Sequence, residues 1–85
     1  MSNRKPRSLT RRAILSHIDP AYRGQVARYG PNQTSPIMEW DGQTHVYASS
    51  EPGAKLITIS LRRAGYEVTT GLWPTTLYVS LPERT

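Results

Sequence analysis

The stretch SSEPGAKLITISLRRAGYEV, residues 49–68, decides the fold because it reads two ways. Ile57, Thr58, Ile59, Ser60 and Leu61 alternate apolar with polar, as a half-buried strand does. Ala54, Ile57, Leu61 and Ala64 also recur at helical spacing, with Lys55, Thr58 and Arg62 on the opposite face. The flanks decide between them. Ser50 before Glu51-Pro52 is a helix start, and Gly65 after Arg62-Arg63-Ala64 is a helix stop with cations in the last turn, where they complement the backbone dipole. The spacing and the flanks predict a helix over 51–64, with Ile59 the residue that fits it worst.

Downstream of this helix, 67–70 and 77–81 read as two strands joined through Gly71 to Thr76. In the second, Leu77, Val79 and Leu81 share one face, and Tyr78 and Ser80 the other. Upstream, Asp41-Gly42 is a strong hairpin signal, since a type I′ turn needs positive φ at both central positions. It joins strands 37–40 and 43–48. GPNQTSP, residues 30–36, is turn chemistry and forms the only internal linker.

Before the linker, Asp19-Pro20 breaks one helix and starts another. The first runs from Leu9 to Ile18 with Ser8 as N-cap and Ile14, Leu15 and Ile18 as its apolar stripe. The second has Asp19 as N-cap, Tyr22, Val26 and Tyr29 on its buried face, and its end at Gly30-Pro31. The expected fold class is α+β: one small, mostly antiparallel sheet of about four strands in two hairpins, backed by two or three short helices. Residues 1–8 form a flexible, disordered basic arm, and 9–85 a single small domain. The order α-β-β recurs faintly, but the two halves do not align.

The 85 residues bound this domain to a thin core, because only 36% of them are hydrophobic in type. With no cysteine, disulfides and thiolate chemistry are excluded. LITISL, 56–61, is far too short to cross a membrane, so no membrane partner is expected. The basic start lacks the apolar core of a secretory signal. It matches a transit peptide in composition, but processing there would leave a body hard to fold unaided. The expected location is the cytoplasm or the nucleic-acid compartment of the host cell.

Charge is the most informative feature. Arg4, Lys5, Arg7, Arg11 and Arg12 have no acid among them. From residue 13 on, Arg23, Arg28, Lys55, Arg62, Arg63 and Arg84 are balanced by Asp19, Glu39, Asp41, Glu51, Glu67 and Glu83, so the net charge of +5 belongs to the opening stretch. Arginines in an acid-free segment settle on phosphates and release counterions, and Pro6 would keep the arm extended. The alternative roles are a solubilising tail or an anchor to an acidic protein. Removing residues 1–12 is expected to erase the long-range attraction and leave the fold largely intact.

Lys55, Arg62 and Arg63 would extend the basic surface, although cations at a helix C-terminus often serve only the dipole. Two helices around Asp19-Pro20 suggest a helix-turn-helix, but the break is shorter than that motif's turn. Helix 51–64 followed by a hairpin has the order of a winged helix. Trp73, held in a loop by Pro74, and Tyr78 are candidates for base stacking or a partner contact. Tyr47 also projects from the sheet, while Trp40 reads as core. The Phe-containing signature of RNA-recognition domains is absent, as is any Phe.

Catalytic chemistry is poorly represented. His17 and His45 show no metal-ligand spacing, and no glycine-rich phosphate loop is present, so neither a metal nor a cofactor is expected. A small ribonuclease built on His45 with Tyr47, Arg62 or Glu67 is the weakest reading. The sequence therefore points to a non-enzymatic nucleic-acid-binding protein, for DNA or RNA, whose arm contacts phosphates. The alternative is an interaction protein, an inhibitor or assembly factor, docking on a larger complex. Free sheet edges also leave room for a homodimer.

Overall fold

The structure, a computed structural model, describes residues 9–30, 33–40 and 43–82, together with every described side chain except that of Trp40. The expected arm, 1–8, and the Asp41-Gly42 turn lie outside the described residues. The elements are helix α1 (Arg11–His17), a 3-10 helix (Pro20–Gln25), strands β1 (Ile37–Trp40) and β2 (Gln43–Tyr47), helix α2 (Glu51–Ala64), and strands β3 (Glu67–Thr70) and β4 (Thr76–Ser80). The fold is α+β: one antiparallel four-stranded sheet, ordered β1-β2-β4-β3, with three helices.

The ambiguous stretch is a helix, for the reasons its flanks supply. The Ser50 hydroxyl accepts from the Gly53 amide at 3.1 Å, and Pro52 sits in the first turn, where its missing N–H costs nothing. At the other end Gly65 takes φ 106°, a left-handed conformation that glycine adopts without a Cβ penalty. Its amide donates to Arg62 O and that of Tyr66 to Leu61 O, both at 3.0 Å, which satisfies the last carbonyls in a Schellman motif. Ala54, Ile57 and Leu61 are buried, while Ile59 is 45% exposed.

Tyr66, pinned by that motif, is buried, meets His17 edge-on at 5.5 Å between ring centres, and has its phenol pKa raised above 10.0 by desolvation. The folded state thus holds the proton more tightly than the unfolded chain. This contribution is intact below pH 10 and is lost as pH rises through the folded value. Urea titrations from pH 9 to pH 12 should show stability falling with pH, and Tyr66→Phe should flatten that fall.

The upstream helices are shorter than the sequence suggests. Thr10, rather than Ser8, caps α1: its hydroxyl accepts from the Ala13 amide at 3.2 Å, and α1 ends at His17. Leu9 and Ile14, on either side of this cap, are both buried in the core, an arrangement that fixes the chain's entry angle. The Thr44 hydroxyl donates to the Leu9 carbonyl at 2.6 Å. The fold therefore takes hold at Leu9, and residues 9–12 belong to it, contrary to the expectation that they are dispensable.

Asp19 caps the next turn as expected, but that turn is 3-10 and stops at Gln25. Val26 then forms an isolated bridge with Ala48, and Ala27 N–H donates to Tyr47 O. Strand-like pairing takes over because these backbone groups find partners beside β2. Tyr29 is consequently 62% exposed instead of buried. Among the described residues α1 and the 3-10 helix form no helix-turn-helix.

Both hairpins are present, with bounds moved by one residue: β2 ends at Tyr47 and β4 runs 76–80, leaving Leu81 outside it. The Trp40↔Gln43 pairing leaves two residues for the β1–β2 connection. The β3–β4 hairpin is no projecting wing, since β4 is an inner strand paired to β2 as well as β3. Thr44, Val46, Leu77, Val79 and Val68 face the helices and make the core with Ile14, Ile18, Ile57 and Leu61. α1 and α2 pack on that face and the 3-10 helix packs on α2, which leaves the other face without a described helix.

Each sheet edge is partly closed by a side chain. The Ser35 hydroxyl donates to Ile37 O and accepts from Ile37 N–H on the β1 edge. On the β3 edge the Arg62 guanidinium donates to Val68 O at 2.8 Å. Such capping blunts edge-to-edge pairing.

Candidate functional site

The predicted cations fall into separate places. Arg4, Lys5 and Arg7 lie outside the described residues. Arg11 and Arg12 are exposed on the first turn of α1, where they join a residue the sequence reading did not single out, Arg23 of the 3-10 helix. With Leu15 and Ser16 these three arginines line one surface recess. Arg23 reaches the same recess from the 3-10 helix that begins directly after the break at Asp19-Pro20. Among the described residues no carboxylate lines this recess and no ion pair neutralises its guanidinium groups.

Lys55 and Arg62 occupy a different flank. They line a groove between α2 and the β3–β4 hairpin with Glu51, Thr58, Thr70, Pro74 and Leu77. Glu51 offsets part of the charge there, and Arg62 spends a donor on Val68 O, so this flank is less cationic than the α1 recess. The two clusters line separate recesses that share no residue. Arg63 is exposed in the last turn of α2, where it complements the helix dipole.

The aromatic candidates sort by exposure. Trp73 is 70% exposed and its neighbour Leu72 is 89% exposed, on a loop closed by the Thr76 N–H to Trp73 O bond. Tyr78 is half-buried on the helix-free face of the sheet. There its ring stacks on that of His45, with centroids 4.6 Å apart and planes inclined by 28°. His45 and Tyr78 are register partners, so their side chains share one face and meet directly. The pair was not legible in the sequence, since it depends on β2 lying beside β4.

Of the residues of the ribonuclease reading, the structure brings three to one face of the sheet and sets the fourth apart. His45, Tyr47 and Glu67 sit on the helix-free face, and Arg62 is on the helix side. Among the described residues no group of three His, Asp or Glu side chains is arranged to hold a metal ion, and no helix is long and apolar enough to cross a membrane. No protein-family model, no curated protein and no solved structure matches this chain.

Proposed function

We propose that the chain is a small non-enzymatic nucleic-acid-binding protein whose arginines neutralise backbone phosphates. The observation that carries this reading is the acid-free recess of Arg11, Arg12 and Arg23, which continues in sequence into Arg4, Lys5 and Arg7. Three planar guanidinium groups around one hollow suit an anion that accepts hydrogen bonds from several directions, as a phosphodiester does. The compensated body leaves the attraction local to this end of the molecule.

Binding to duplex and single-stranded nucleic acid across a salt series tests the reading. Log affinity should fall steeply with log salt, and the triple variant Arg11→Gln, Arg12→Gln, Arg23→Gln should make that slope shallower by about 2 to 3 units. Salt-independent binding, or none to any nucleic acid, would overturn it. A second reading, docking on a protein partner, is favoured by one observation: Leu72 and Trp73 stand exposed at the tip of the β3–β4 hairpin, and tryptophan is enriched among the residues that carry interface binding energy. It predicts that Trp73, not the arginines, controls binding.

A further inference from the structure

The helix-free face of the sheet has a composition that core packing does not explain. The registers place Met38, His45, Tyr78 and Thr69 in one row across it, with Tyr47 and Thr76 in the next row toward the Trp73 loop, and Gln43, Ser80 and Glu67 toward the other end. An ordinary solvated face carries charged side chains, yet among the described residues of these rows Glu67 is the only carboxylate and no Lys or Arg occurs. The centre is instead aromatic: the His45–Tyr78 stack, with Tyr47 beside it, all half-buried.

The stack is held by the backbone beneath it. A Cβ built on Gly71 would lie 2.7 Å from Cε1 and Cζ of Tyr78, so the phenol ring lies across a position that only glycine leaves open. Tyr78 is thereby kept between Gly71 and His45, a preorganised ring pair that needs no rearrangement to receive a third flat ring.

We infer that this face is a stacking platform for unpaired bases, so that the preferred ligand is single-stranded nucleic acid. The inference rests on the proposed function and adds the form of the ligand. A duplex offers its phosphates to the arginines but keeps its base faces covered, whereas a single strand offers both. Stacking is tolerant of sequence because every base has a π-face. The chain's positive excess matches such a ligand; the basic stretch joins the fold at Leu9, which is hydrogen-bonded to Thr44 on the helix side of β2, so a strand that meets both the arginines and the rings wraps from one face of the sheet to the other. Gln43, Thr69 and Ser80 supply polar groups around the rings for base edges.

The test uses the full chain with labelled oligothymidylate, oligouridylate and a duplex of matched length, read by anisotropy at fixed salt. The double variant His45→Ala, Tyr47→Ala should bind both single strands at least about tenfold more weakly, and the duplex within about twofold of the parent. Gly71→Ala, which displaces the Tyr78 ring without removing any aromatic group, should weaken single-strand binding alone. It carries the test if the double variant loses its cooperative melt. Salt-dependent binding of duplex and single strands that none of these variants changes would overturn the platform and leave the proposed function standing. No binding by the parent chain would overturn both. Weakening of duplex and single strands to the same degree would also overturn the platform.

Discussion

Deleting residues 1–12 is expected to unfold the protein, whereas deleting residues 1–8 should leave a native melt. The difference lies in four residues. Leu9 is buried in the core, and removing such a side chain costs about 2 to 5 kcal/mol. Its carbonyl is the acceptor for Thr44, a fully buried hydroxyl that would be left unsatisfied, at about 1 to 3 kcal/mol. Thr10 caps α1, worth about 1 kcal/mol, and Arg11 and Arg12 are the first turn of that helix.

Those losses together reach the whole stability of a domain this size, which at roughly 0.05 to 0.15 kcal/mol per residue is about 4 to 13 kcal/mol. Circular dichroism of the two truncations through a thermal melt checks the prediction. A cooperative transition in the chain lacking residues 1–12 would show that α1 is not integral to the core. The outcome also governs how binding experiments are designed: only the shorter deletion separates the charge of the basic stretch from the integrity of the fold.

Local chemistry made some of the fold legible and hid the rest. The caps of α2 were readable because Ser50 and Gly65 act within their own turns. The strands were readable because alternation records which face is buried. The end of the 3-10 helix was not, because Gln25, Val26 and Ala27 are pulled out of helical geometry by Ser49, Ala48 and Tyr47, some twenty residues away. That competition also left Tyr29 in solvent. At the candidate site, the charge of Arg11 and Arg12 was visible in composition, but their meeting with Arg23 depends on where the 3-10 helix after Asp19-Pro20 comes to lie. Arg62 has a structural part that its charge alone did not reveal: its guanidinium donates to Val68 O on the β3 edge. Gly71 looked like turn punctuation and proves to be the seat of the Tyr78 ring.

The second large effect is a contrast within LITISL, where helix and strand give opposite orders of cost. In a strand, Ile57, Ile59 and Leu61 would share a face and their truncations would cost alike. In α2, Ile57 and Leu61 are one turn apart and fully buried among Ile14, Ile18 and Leu77, while Ile59 is rotated by about 200° to the far side and is 45% exposed. Ile57→Ala and Leu61→Ala should each therefore destabilise by about 2 to 5 kcal/mol, because the tightly packed surroundings cannot collapse into the space. Ile59→Ala should stay within about 0.5 kcal/mol, since the little apolar contact it gives up is offset by alanine's better helix propensity. Urea midpoints at constant m-value measure all three. Equal losses at 57, 59 and 61 would return the stretch to a strand, and with it the four-strand sheet and the helix-free aromatic face would have to be redrawn. The unequal pattern would instead confirm that the cap at Ser50 and the left-handed Gly65, rather than the alternation between them, dictate this segment's structure.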